Sequence, residues 1–162
     1  MQIRKIDQSE AKIFFDCMKS IDQETKFMMF EPGERQFDED LIVNNLSNEN
    51  DLFLGAFSEH EIVGFLAAKR GSFRRIRHSA YIVIGIRRSF QGQGIGTKLF
   101  DKLDEWARKN QVKRLELTVE TQNTPAINLY EKQGFISEGI KKKTTLVDGE
   151  FVDEYMMAKL YM

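Results

Sequence analysis

The chain has a single cysteine, Cys17, so it cannot close an internal disulfide; this fits a reducing compartment, and the expected location is the cytoplasm. Excess charge of one sign is also missing. Lysine and arginine total 24 against 25 acidic residues, a net charge of -1, so no global field recruits nucleic acid or an anionic membrane. No apolar run approaches the roughly 20 residues that span a bilayer, and Met1 to Ile6 lack the apolar core of a signal peptide. Internal repeats, low-complexity tracts and linkers are absent too. With 162 residues, 41% of them apolar, the expectation is one domain over residues 1–162. No metal site is expected.

Both prolines mark boundaries. Residues 2–6 alternate like a short strand, and Asp7 with Glu10 forms a capping box that opens a helix carrying Ala11, Phe14, Met18 and Ile21 on one face. Cys17 lies beside this stripe with no histidine near it in sequence, which reads as an inert buried thiol. Pro32-Gly33 predicts a turn before a second helix through Leu41 and Leu46. Residues 51–57 and 61–69 read as a hairpin pair, and residues 70–77 as a basic loop. Residues 78–86 are nearly all β-branched, aromatic or small, the pattern of a central strand covered on both faces.

After a glycine cluster, Ile95, Leu99, Leu103, Trp106 and Ala107 share one helical face as far as Asn110. Leu115, Leu117 and Val119 then alternate as a strand over 114–120. Thr124 as N-cap with Pro125 after it starts another helix, which Gly134 closes. Asp148-Gly149 predicts a tight primed turn between strands 135–147 and 151–160. The order is βααβββαβαββ, an α+β (mixed α/β) fold.

The chemistry centres on Gln91-Gly92-Gln93-Gly94-Ile95-Gly96-Thr97, which joins a strand to an amphipathic helix. Each glycine removes a Cβ that would block a ligand from the backbone, and the free N–H groups and dipole of the helix start suit a pyrophosphate. Arg87, Arg88 and Lys98 are near enough to add countercharge or to be solvated. The spacing is Gly-x-Gly-x-Gly, not the Gly-x-Gly-x-x-Gly of a dinucleotide fold, and half the chain precedes it. Thr97-Lys98 reverses the order that a P-loop requires. A turn that merely packs helix on sheet accounts for one or two glycines only.

These residues resemble the GNAT superfamily, whose cofactor motif is Gln/Arg-x-x-Gly-x-Gly/Ala; Gln91, Gly94 and Gly96 occupy its fixed positions. Asn123, Ala126, Leu129, Tyr130, Gly134 and Phe135 match a second family segment, Asn-x-x-Ala-x-x-Leu-Tyr-x-x-x-Gly-Phe. The resemblance implies a mixed, largely antiparallel sheet of about seven strands with about four helices, split open between the strand ending at Ile86 and the strand 114–120. It implies acetyl-CoA in that cleft, its pyrophosphate on the amides of Gln91, Gly92, Gln93, Gly94, Ile95, Gly96 and Thr97. The pantetheine arm would pair with backbone groups of Ile84 and Ile86, and Asn123 would bond or orient it.

The activity implied is N-acetyltransferase, moving an acetyl group directly from acetyl-CoA to a primary amine on a small molecule, polyamine or protein N-terminus. The alternative is an acyl-CoA sensor without chemistry. Tyr130 matches the family's general acid; helical spacing from Ile127 alone reads as packing. Many relatives carry a glutamate early in the strand before the glycine loop, where this chain has Ser79, Ala80 and Tyr81. The base is therefore open among Glu31, Glu34, Glu120, His78 and a chain of waters. Glu31 and Glu34, with the acidic groups near Asp148, would suit a cationic acceptor or simply face solvent. A homodimer through a strand edge or the C-terminus is compatible with the sequence.

Overall fold

The computed structural model describes all 162 residues. The elements are β1 (Gln2–Lys5), α1 (Ala11–Glu24), α2 (Glu39–Ser47), β2 (Leu52–Ser58), β3 (Glu61–Arg70), β4 (Ser79–Ile86), α3 (Ile95–Lys109), β5 (Arg114–Glu120), α4 (Thr124–Lys132), β6 (Ile136–Val147) and β7 (Glu150–Leu160). The order expected from sequence is the order found. One seven-stranded sheet runs β1-β2-β3-β4-β5-β7-β6. Every neighbouring pair is antiparallel except β4 with β5. No helix is long and apolar enough to cross a membrane.

Two cores form on the two faces of this sheet. On one, Ile95, Leu99, Phe100 and Leu103 of α3 pack with Leu66, Ile82, Leu115 and Leu117. On the other, Phe14, Phe15, Cys17 and Ile21 of α1 and Ile42 of α2 pack with Phe53, Phe57 and Phe65 of β2 and β3. The α1 stripe is wider than the one read from sequence. Leu41 faces solvent and Ile42 takes the inward place in α2.

The capping box forms: Asp7 Oδ2 accepts from Ser9 N–H at 2.9 Å, and Glu10 Oε1 from Asp7 N–H at 2.8 Å. It opens a short 3₁₀ turn that runs directly into α1. The β6–β7 turn has φ of 51° at Asp148 and 80° at Gly149, the two positive angles of a type I′ hairpin. Lys26 pairs with Asp148, which ties the loop after α1 to the tip of this hairpin.

One expectation fails in a way that exposes the site. β4 is not covered on both faces: Tyr81 is 40% exposed and Val83 39%. The physical reason is reach. The α1–α2 layer lies mainly over β2 and β3; on β4 it reaches Gly85 through Ile21 and leaves Tyr81 and Val83 uncovered.

Candidate active site

β4 and β5 pair at only three positions, Ser79↔Arg114, Ala80↔Leu115 and Tyr81↔Glu116. Beyond Tyr81 the two parallel strands separate while β4 stays paired to β3 as far as Gly64↔Ile86. Strand alternation then fixes which backbone groups face the gap. Arg87 N–H donates to Val63 of β3 at 2.8 Å, whereas His78 C=O accepts from Lys113 and Arg114 on the β5 side. Even-numbered residues of β4 therefore turn their N–H and C=O toward β5. For Ile84 and Ile86 this means toward the opening, where Gln91 Nε2 donates to Ile86 C=O at 3.2 Å.

The glycine loop sits where β4 ends. Gly92 and Gly94 have φ of 75° and 79°, values that side-chain-bearing residues adopt at a cost, and a Cβ at either would meet nothing within 4 Å. Main-chain N–H groups from Gly92 to Thr97 have no backbone acceptor, and the first helical bond of α3 is Lys98 N–H to Gly94 C=O. Six donors thus stand without a backbone acceptor at a helix start, with open space at Gly92 and Gly94. Gly96 serves otherwise than expected, because its Cβ would approach Leu129 Cδ2 at 2.9 Å. Its lack of a side chain lets α3 and α4 pack closely, not a ligand reach the backbone. The Ile95 side chain is buried in the core, which leaves only its N–H available. Arg87 and Arg88 are committed: both bond Glu24 at the end of α1.

α4 carries the second motif. Its N-cap is Asn123, not Thr124: Oδ1 accepts from Ala126 N–H at 3.4 Å, and the main-chain carbonyl accepts from Ile127 N–H at 3.0 Å. Asn outranks Thr at a cap because its short amide reaches back to the third helical N–H readily. Gly134 closes the helix at φ 96°, with Phe135 N–H bonded to Tyr130 C=O at 2.9 Å. Tyr130 is 8% exposed, edge-on to Phe100 and against Phe135. Burial pushes its phenol well above the ordinary value, and nearby Tyr81 pushes it further. The Tyr130 hydroxyl has no hydrogen-bond partner and is not sealed from open space.

The remaining base candidates separate by position. His78 is exposed at the closed end of the β4–β5 pair. Glu31 and Glu34 are exposed on the loop before α2, and Glu34 Oε1 accepts from Glu31 N–H at 3.1 Å; neither makes a bond into the opening. Glu120, at the end of β5, is 8% exposed and faces Glu154 on β7. In the sequence Tyr81 is only a departure from a family pattern. Its hydroxyl lies 2.7 Å from Thr118 Oγ1, bridging β4 to β5. Only the three-dimensional split gives that pair meaning, so no sequence signal marks it.

Comparison with known proteins agrees with this geometry. The model of the acetyltransferase (GNAT) family matches residues 15–135. The L-amino acid N-acetyltransferase AaaT of Escherichia coli K12 is 36% identical over 111 residues, 66% of this chain and 67% of that enzyme. The solved structure of a GNAT-family acetyltransferase from Streptococcus pneumoniae superposes with a TM-score of 0.92 at 28% identity, over 99% of each chain. That of yncA from Salmonella typhimurium, described with its cofactor acetyl-CoA, has the same fold, with a TM-score of 0.86 at 20% identity over 99% of this chain and 93% of that one. A split sheet, a glycine-rich helix start and a family match over three quarters of the sequence lead to one conclusion: the chain belongs to the acetyltransferase (GNAT) family and is an acyltransferase.

Proposed function

We propose that residues 1–162 act as one catalytic domain that moves an acetyl group from acetyl-CoA directly to a primary amine through a ternary complex. The observation that carries this reading is the row of six unclaimed N–H groups from Gly92 to Thr97, with no atom where the Gly92 and Gly94 side chains would stand. A diphosphate fits such a cradle, because it offers several acceptor oxygens and negative charge to a helix N-terminus. The gap-facing backbone of Ile84 and Ile86 would pair with the extended arm of the same molecule as a further strand. Acetyl-CoA supplies the activated thioester. An N–H at the end of β4 stabilises the oxyanion that forms on attack, and Tyr130 donates a proton to the leaving thiolate.

Asn123 contributes through position. With Oδ1 engaged at the helix start, its Nδ2 is the atom free to donate to the cofactor arm. Glu31 and Glu34, on the loop that Lys26 ties to the hairpin, add negative charge at the rim on the acceptor side. The acceptor is a small-molecule amine, a polyamine or a peptide N-terminus.

The test has two stages. Thermal unfolding with acetyl-CoA, NAD and ATP should show stabilisation by acetyl-CoA alone; none at millimolar acetyl-CoA overturns the reading. Thiol release is then followed over polyamines, amino acids, aminoglycosides and N-terminal peptides. Tight binding with no release across that panel would replace the enzyme with a non-catalytic acyl-CoA sensor.

A further inference from the structure

Only two charged side chains are buried, Asp22 and Glu120, and their situations are opposite. Asp22, 1% exposed, is held by Arg35, whose Nε donates to Oδ2 at 2.7 Å and Nη2 to Oδ1 at 3.1 Å. The Glu120 carboxylate has no partner of either kind. Its oxygens are not sealed, since Thr145 Oγ1 is the one fully enclosed side-chain polar atom lacking a partner. The carboxylate therefore keeps some contact with open space.

An unpaired carboxylate in that position is costly, and the fold adds to the cost. Glu154 stands directly opposite on β7, and like charges facing each other across a strand pair repel. Lys141, across from Glu154 on β6, makes no ion pair with it. Other ionisable groups on this side are engaged elsewhere: Glu116 with Arg114, Tyr81 with Thr118, Glu24 with Arg87, Asp22 with Arg35. The sheet thus maintains two facing carboxylates that no ion pair joins to a cation.

Their location is specific. Extending the β4–β5 register past Tyr81↔Glu116 brings Glu120 level with Gly85, between the gap-facing backbones of Ile84 and Ile86. Leu115, Leu117 and Val119 belong to the α3 core, so Thr118 and Glu120 point to the opposite side of the gap, the face on which Ile21 of α1 reaches Gly85. Glu120 is the buried carboxylate on that side of the gap.

We infer that Glu120, faced by Glu154, seats the acceptor's ammonium group and takes its proton, so that the acceptor is an amine of net positive charge rather than one with a carboxylate beside its nitrogen. This rests on the acetyltransferase reading above, and it departs from the amino acid named for the AaaT relative. The balance is simple. One ammonium proton passes to Glu120, and the freed lone pair forms the N–C bond as the C=O electrons move to oxygen. Collapse breaks the C–S bond, Tyr130 protonates the thiolate, and the second amine proton restores Tyr130. Glu120 then releases its proton to water. Burial first, and the Glu154 charge second, raise the Glu120 pKa, which strengthens it as an acceptor.

The experiment compares wild type, Glu120→Gln and Glu154→Gln with spermidine, cadaverine and L-methionine as acceptors, and measures acetyl-CoA affinity separately by calorimetry. Expected are a kcat/KM at least tenfold higher for the two polyamines than for L-methionine, and an at least hundredfold loss with spermidine in Glu120→Gln. Acetyl-CoA affinity should stay within threefold and thermal stability should not fall, because an uncharged amide relieves the repulsion. Glu154→Gln should move the acid limb of the kcat/KM profile to lower pH, since the charge holding the Glu120 proton is gone. A Glu120→Gln enzyme within threefold of wild type, a preference for L-methionine, a Glu120→Gln chain that unfolds more readily, or an acid limb that stays or rises would each overturn the inference. If acetyl-CoA itself fails to bind, the acetyltransferase reading falls first and this one with it.

Discussion

The hydroxyls of Tyr81 and Thr118 lie 2.7 Å apart, and this hydrogen bond crosses from β4 to β5 just past the last paired residues, Tyr81↔Glu116. Two side chains thus continue for one more step a connection that the backbone has abandoned. The pair fixes where the sheet opens.

Tyr81→Phe should therefore loosen the junction without unfolding it. Because Tyr81 is 40% exposed, water replaces part of the lost bond, and the cost belongs at the low end of the usual range, about 0.5 kcal/mol. Thr118→Val should cost a similar amount. The double variant should lose little more than either single one, and urea denaturation of the four proteins gives the coupling directly.

The glycines of the loop predict a contrast. Gly94→Ala places a methyl in open space beside the free N–H groups and forces a left-handed residue to carry a Cβ, so acetyl-CoA affinity should fall at least tenfold with a stability loss of about 1–2 kcal/mol. Gly96→Ala should leave affinity alone, because its methyl meets Leu129 at 2.9 Å. Overpacking of that kind costs roughly 1–3 kcal/mol, offset by about 1 kcal/mol of helix propensity. Leu129→Ala should relieve the Gly96→Ala defect; calorimetric titration and thermal unfolding separate the two effects.

Much of this was legible before the structure, because local signals decide local elements. Alternation at Leu115, Leu117 and Val119 marked β5 to the residue, and Asp148-Gly149 marked the turn between β6 and β7. What failed is non-local. β4 is apolar enough for a doubly covered strand, yet Tyr81 and Val83 stay exposed because α1 reaches β4 at Gly85 and not over these two residues, a matter of layer width that strand composition does not record. Gly96 and Gly94 look alike in sequence; which of them faces Leu129 depends on where α4 docks. Glu120 could only be one carboxylate among several until pairing placed Glu154 against it.

Cys17 supplies a check on the α1 core. It is 2% exposed, and burial pushes its thiol up to about 12, so at pH 8 almost no thiolate is present or reachable. Native protein should release no colour from a disulfide reagent over minutes, and one equivalent after denaturation. Rapid native reaction would mean that α1 opens locally, and it would also add background to any assay of released coenzyme thiol.

Tyr130 offers the sharpest division between packing and chemistry. As a packing aromatic it contributes its ring to Phe100 and Phe135, which phenylalanine reproduces. Its hydroxyl has no protein partner, so Tyr130→Phe should leave stability and acetyl-CoA affinity nearly unchanged. Turnover should fall at least tenfold, about 1.4 kcal/mol on the barrier, because only the hydroxyl can protonate the thiolate. The pH dependence carries a sign. The active form is the protonated phenol, and burial raises its pKa, so its contribution persists as pH rises and disappears only above the ordinary phenol value. The kcat profile of the wild type should thus show no falling limb from this group below about pH 10. A falling limb near neutrality that Tyr130→Phe abolishes would mean the hydroxyl is ionised where it works. Equal turnover in the two proteins would assign the ring to the core and the proton to another donor.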